Sequence, residues 1–71
     1  MRIEFTDTEY RFAHGKTPRG YGMWGFQYGR TEDTMFWTSG TLTEAKKACR
    51  EYVKAKAPQD YIGTIHVNIL P

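Results

Sequence analysis

Aromatic residues at alternate positions of one short segment constrain the fold of this chain more than any other feature. Trp24, Phe26 and Tyr28 lie on one side of the segment from Met23 to Tyr28. Because the side chains of a β-strand alternate between its two faces, this pattern predicts a strand with one aromatic face. A chain of 71 residues has room for one hydrophobic layer, so the fold depends on whether that layer includes the aromatic face.

The aromatic face has two interpretations. A small domain needs aromatic area in its core, which favours packing of Trp24, Phe26 and Tyr28 under an apolar helix. The alternative is an exposed platform on which nucleobases stack, as on the open sheets of some single-strand binders. The sequence favours the core and leaves the platform open.

Composition narrows the class of protein. The net charge of +2 is low for a protein that coats DNA. Cys49 is the single cysteine, so no internal disulfide can form and a reducing compartment is expected. No apolar run is long enough for a signal peptide or a membrane span. We expect one soluble, cytoplasmic domain over residues 1–71, with no membrane partner.

Further strands are indicated on both sides of the aromatic segment. Arg2 to Phe5 alternates polar and apolar residues, and Tyr10 and Phe12 continue the alternation, as one long bulged strand or as a hairpin. The segment from Gly15 to Gly22 contains Pro18 and predicts an irregular loop. Thr34 to Thr38 reads as a strand with large apolar groups on both sides, which predicts a central or doubly covered position.

A helix is marked at its start by Thr41 and Glu44, which have the spacing of a capping box. Apolar and amphipathic residues then recur at helical spacing: Leu42, Ala45, Cys49, Tyr52, Val53 and Lys56. Pro58 ends the helix, and residues 64–69 alternate again as a last strand. The fold class predicted is α+β, a two-layer sandwich in which a single helix covers an antiparallel sheet of about four strands. The element order is β-β-β-α-β, with the last strand placed beside the first.

The sequence gives little support for catalysis or for metal binding. Cys49 lies on the apolar helix stripe, where a cysteine behaves as a small hydrophobic residue. His66 has no neighbouring partner for acid–base work, and His14, Cys49 and His66 are too far apart in the chain for a ligand motif. We predict no enzymatic activity, no cofactor and no metal.

A cationic loop is the strongest candidate binding feature. His14, Lys16 and Arg19 lie within six residues, Arg11 precedes them and Tyr21 follows. One interpretation is a solvated connection whose charges keep a sheet edge soluble. The other is a loop that contacts anions, with Arg19 on a phosphate or carboxylate and Tyr21 stacking nearby. Arg30, in the following turn, joins this loop if both lie at the same end of the sheet.

Residues from Met23 to about Ala55 form an aromatic strand, a polar hairpin, a second strand and a helix opening at Gly40-Thr-Leu-Thr-Glu-Ala45. This order resembles the three-stranded DNA-binding domains of the AP2 and integrase arm-binding type. In that family, the sheet face turned away from the helix enters the major groove. The resemblance implies that Met23, Gln27 and Arg30 lie nearest DNA.

A second resemblance covers nearly the whole chain. The pattern His14-Gly-x-x-Pro-Arg-Gly-x-Gly-x-Trp-x-Phe26, followed by Glu44-Ala-Lys-Lys-Ala48, is similar to small proteins of phages, plasmids and integrated elements. Proteins of this kind often inhibit host defence, as anti-CRISPR and anti-restriction proteins do. The resemblance implies an inhibitor that binds a host protein or nucleoprotein complex.

Together, the residue patterns and the two resemblances predict a non-enzymatic binding protein, encoded by a mobile element, that blocks its partner by occupancy. The alternative function is a small DNA- or RNA-binding domain that uses the sheet and the basic loop over residues 14–22. An exposed edge strand could also pair across a two-fold axis to form a homodimer. The predicted binding residues are Arg11, His14, Lys16, Arg19, Tyr21, Gln27 and Arg30.

Overall fold

The structure is a computed structural model, and it describes residues 2–29, 34–56 and 63–71. These residues contain four strands and two helices. In chain order they are β1 (Arg2–Thr6), α1 (Thr8–His14), β2 (Tyr21–Gln27), β3 (Met35–Thr41), α2 (Leu42–Lys56) and β4 (Thr64–Ile69). The predicted α+β class is confirmed, and the strands form one sheet of four with α2 packed on it.

The sheet is mixed, with the strand order β1-β4-β2-β3. β2 pairs antiparallel with β3 along its whole length, and with β4 at Phe26 and Gln27. β1 pairs with β4 in parallel, with Phe5 beside Val67. The last strand therefore lies beside the first, as predicted, but the prediction of a wholly antiparallel sheet was wrong.

The path of the chain through α2 makes β3 and β4, which are separated by β2, parallel to each other. β3 and β4 both run antiparallel to β2 and flank it, so they point in the same direction. α2 connects them and packs against β2 and β3 on the way. A helical crossover of this kind joins parallel strands of one sheet, here with one strand between them.

The core lies between α2 and the sheet face that β2 and β4 turn toward it. The buried side chains of this layer are apolar and form one cluster: Trp24, Phe26, Ala45, Cys49, Val53, Val67 and Ile69. Phe5 meets Phe26 edge to face, with ring centroids 5.6 Å apart. Trp24 and Phe26 are 5% and 0% exposed, so the aromatic stripe of the sequence is core and does not form an exposed platform.

Residues 8–14 form a helix, and the predicted second alternating strand at Tyr10 and Phe12 was wrong. Asp7 and Arg11, four residues apart, are joined by an ion pair of 3.0 Å, while Tyr10 stacks on His14 with centroids 4.2 Å apart. Both pairs have the spacing at which helical side chains meet. Gly15 then ends the helix in the left-handed region, at φ 69°.

β3 is an edge strand, so the prediction that it is central or covered on both faces was also wrong. Phe36 turns toward the core, where its ring lies 4.7 Å from that of Tyr52. Trp37 turns to the opposite face, where it remains 54% exposed. Large apolar groups on both sides of β3 predict two covering layers, but α2 covers only the face of the sheet that carries Phe36.

The predicted capping box at the start of α2 is confirmed. The Glu44 backbone N–H donates to Thr41 Oγ1 at 3.2 Å, and Thr41 donates through its hydroxyl and its backbone N–H to Glu44 Oε1 at 2.8 and 3.2 Å. These hydrogen bonds, the hydroxyl bond first, lower the pKa of Glu44 below its ordinary value of 4.5. The helix that closes the core is therefore fixed at its first turn.

Replacing Thr41 by Ala is expected to reduce the free energy of unfolding by about 1 kcal/mol, because an N-terminal donor of α2 loses its acceptor. Urea denaturation of purified protein at neutral pH measures this difference. Thr43→Ala, an exposed substitution in the same turn of the helix, is the matched control and should change stability little. Equal losses in both variants would contradict the capping role.

The stabilisation from Glu44 should also depend on pH. Its pKa is lower in the folded protein, so the unfolded chain takes up a proton first as the pH falls. The contribution is therefore present above pH 4.5 and lost as the pH falls through the folded pKa. The difference in stability between the wild type and Thr41→Ala should become smaller over that range, because only the hydrogen bonds to the carboxylate weaken, and a constant difference would contradict this account.

Candidate binding groove

A groove of about 360 Å³ opens beside the first half of β2. β4 pairs with Phe26 and Gln27, and the Leu70 N–H donates to the Gly25 carbonyl, but the pairing extends no further toward Tyr21. The space beside residues 21–24 is bounded instead by the end of α1, by the loop after it and by residues 70–71. Its volume lies within the range of small-ligand sites.

Four of the seven predicted binding residues line this groove: His14, Lys16, Arg19 and Tyr21. Three do not. Arg11 is held by Asp7 on α1, and Gln27 lies at the far end of β2. Arg30 falls outside the described residues, so its predicted association with the loop stays a prediction.

The two cations of the groove are not neutralised within the described parts of the chain. Neither Lys16 nor Arg19 takes part in an ion pair there, and the lining side chains include no carboxylate. By contrast, Arg2 and Arg11 each bind a carboxylate, at 3.2 and 3.0 Å. The groove therefore presents two cations that no acidic side chain of the described residues neutralises.

The loop that carries these cations is held at two points. Pro18 is buried, and Gly20, at φ 85°, accepts a hydrogen bond of 3.0 Å from the Leu42 N–H at the start of α2. Glycine adopts this positive φ without the strain that another residue would meet. The anchoring keeps Lys16 and Arg19 at the mouth of the groove.

One wall of the groove is continuous with the core. His14 stacks on Tyr10, and the Tyr10 ring lies 5.6 Å from that of Trp24. Trp24 is fixed in turn, because its indole N–H donates to the Gly40 carbonyl at 3.2 Å. The position of His14 thus follows from packing that reaches the buried layer under α2.

The opposite wall is Trp37, which sequence reasoning did not assign to the site. Trp37 lies directly across from Gly25 in the register of β2 and β3. A methyl group on Gly25 would overlap three adjacent carbons of the Trp37 six-membered ring, Cε3, Cζ3 and Cη2, at nearly equal distances from each. Near-equal distances to three consecutive ring atoms require the ring to lie face down on the glycine.

The exposed rings of the groove, Tyr21 and Trp37, therefore lie on the face of the sheet turned away from α2. Tyr21, Met23 and Trp37 are 80%, 67% and 54% exposed, and all three line the groove. The alternation of β3 predicts that Trp37 and Phe36 lie on opposite faces of the sheet. The sequence did not reveal that Gly25 is the cross-strand neighbour of Trp37. That pairing depends on the register of the hairpin, whose turn carries no decisive signal.

The candidate catalytic groups of the sequence lie outside the groove. Burial raises the pKa of the Cys49 thiol to about 11, so the thiolate is scarce at neutral pH. His66 is exposed on the open sheet face, with Nδ1 3.8 Å from Glu4 Oε2. Over residues 2–29, 34–56 and 63–71, no group of three metal-ligating side chains comes together.

Comparison with known proteins gives no relative: no protein-family model, no curated protein and no solved structure matches the chain. In the part of the chain that the structure describes, neither helix has the length and apolar character needed to span a membrane.

Replacing Gly25 by Ala should displace the Trp37 ring, because the added methyl occupies the space that the ring covers. We expect a loss of roughly 1–3 kcal/mol in the free energy of unfolding, which is typical of overpacking. Gly22→Ala is the matched control in the same strand, since no atom lies within 4 Å of the added methyl. Urea denaturation should separate the two variants, and equal stabilities would contradict the face-down ring.

Proposed function

We propose that this protein is a non-enzymatic binding protein that acts by occupancy, with the groove as its contact surface. Its partner presents negative charge, as an acidic patch of a host protein or as the nucleic acid of a nucleoprotein complex. The observation that carries the proposal is the placement of Lys16 and Arg19 in a concave site whose described lining contains no acidic side chain.

Electrostatic complementarity supports an anionic partner. Cations without an internal counter-ion attract negative groups, raise the rate of encounter and disfavour cationic competitors. The arginine adds a planar fork of donors that suits phosphate and carboxylate. The anchored loop lowers the conformational cost of binding, because the backbone that carries the cations is already ordered.

The exposed rings supply the apolar part of such a contact. Aromatic residues, methionine and arginine are enriched where proteins meet their partners, and Tyr21, Met23, Trp37 and Arg19 are of these types. Trp37 is held flat against Gly25, so little side-chain entropy is lost when a partner covers it.

The biological setting of the proposal is a mobile genetic element. Its support is the resemblance of the His14–Phe26 and Glu44–Ala48 patterns to small phage and plasmid proteins. An inhibitor of host defence that works by occupancy needs a rigid contact surface and no catalytic group. The groove offers the first of these, and the predicted lack of enzymatic activity agrees with the second.

The proposal is tested by NMR titration of ¹⁵N-labelled protein with inorganic tripolyphosphate and, separately, with a polyglutamate peptide at low salt. We expect amide shifts centred on Lys16, Arg19 and Tyr21, which disappear in the double variant Lys16→Glu, Arg19→Glu. The control variant Lys47→Glu, Lys54→Glu reverses two exposed charges on α2 and should bind as the wild type does. Shifts that map to α2, or binding unaffected by reversal of the loop charges, would refute the proposal.

A further inference from the structure

The outer face of the Trp37 ring is available for stacking. Its inner face covers Gly25, and the side chain is still 54% exposed. The ring is thus a flat aromatic surface, parallel to the sheet and open to solvent. Nucleobases stack on surfaces of this kind whatever their sequence, because every base has a π-face.

Positive charge lies in the same groove as this ring. Lys16 and Arg19 line the groove together with Trp37 and Tyr21. A nucleotide carries a flat base and a phosphate within one short unit, so one nucleotide could reach a ring and a cation at once. The combination of a cationic groove with stacking rings is typical of proteins that bind single strands.

Other anionic partners fit these observations less well. The bases of a duplex are stacked on one another, and their faces are not offered to a protein ring. An acidic peptide satisfies the cations, but its carboxylates bring no flat group to cover Trp37. The structural features therefore favour an unpaired strand over a duplex or an acidic peptide.

We infer that the groove binds single-stranded nucleic acid, with one base stacked on the outer face of Trp37 and the adjoining phosphate held by Arg19 and Lys16. This inference rests on the proposed function, whose contact surface it shares, and it names the chemical class of the partner. The strand lies across the open sheet face, opposite the face that α2 covers.

The experiment is fluorescence anisotropy with a labelled short oligothymidylate over a salt series. Trp37→Leu keeps an apolar cover over Gly25 but removes the flat ring, and it should weaken binding roughly 5- to 150-fold. Trp37→Phe keeps a flat ring and should retain most of the affinity. If Trp37→Leu binds as tightly as the wild type, the inference is wrong.

The contribution of the phosphate is tested separately. Each phosphate contact to a single strand adds about 0.7 to the slope of log affinity against log salt. Lys16→Gln with Arg19→Gln should reduce that slope, whereas Lys47→Gln with Lys54→Gln on α2 should leave it unchanged. Loss of slope in the α2 variant alone would place the strand on the helix and overturn the inference.

Three further probes separate this inference from the proposed function: an abasic strand of equal length, a duplex of the same sequence, and a polyglutamate peptide. We expect the oligothymidylate to bind more tightly than each of them. Equal binding of the abasic strand or tighter binding of the peptide would overturn the inference and leave an anion-binding groove. Tripolyphosphate binding that ignores reversal of Lys16 and Arg19 would overturn the proposed function itself.

Discussion

The covering of one sheet face by α2 is the constraint on which the rest of the structure depends. Ala45, Cys49 and Val53 pack against the side of the sheet that carries Phe26 and Val67. This layer uses the apolar stripe of α2, and the opposite face of the sheet carries the exposed Tyr21, Met23 and Trp37. A large side chain that strand alternation directs to that face is exposed unless a neighbouring residue of the sheet or a binding partner covers it.

Trp37 shows how the open face accommodates such a side chain. β3 needs Phe36 in the core, and alternation then directs Trp37 outward. Gly25 on the neighbouring strand leaves room for the ring to lie flat, which buries one face of the indole and leaves the other available. The same glycine that would weaken a strand interior thus creates an ordered aromatic surface.

The groove arises where the sheet is incomplete. β4 pairs with the second half of β2, and α1 with its following loop occupies the end of the sheet beyond that pairing. The stack from His14 through Tyr10 to Trp24 connects this end to the core. Packing therefore brings the cations of the loop beside the exposed rings. Trp37 is distant from the loop in the sequence, so sequence adjacency does not predict its place in the groove.

Sequence reasoning anticipated what depends on local pattern. The capping box of Thr41 and Glu44, the buried stripe around Cys49 and the strand of Trp24 and Phe26 each follow from short-range periodicity. The helix at residues 8–14 was missed because Tyr10 and Phe12 also alternate, and the pairs Asp7–Arg11 and Tyr10–His14 carried the decisive signal at helical spacing.

The parallel pairing of β1 with β4 and the place of Trp37 were missed for a different reason. Both depend on long-range register and strand order, which a single sequence does not encode in any short window. His14, Lys16, Arg19 and Tyr21 were found because their chemistry is visible in the chain, and the structure brings them to one groove. Trp37 completes that groove from β3, the strand for which the sequence predicted a central or doubly covered position.

Collisional quenching of tryptophan fluorescence tests most directly whether an open ring lies in a positive groove. Trp24 is 5% exposed and Trp37 is 54% exposed, so soluble quenchers should reach Trp37. Relative to their quenching of free N-acetyltryptophanamide, iodide should quench the wild type more strongly than caesium, because anions concentrate around Lys16 and Arg19, and Trp37→Phe should lose most of this quenching. Equal quenching by the two ions, or quenching that persists in Trp37→Phe, would contradict the account.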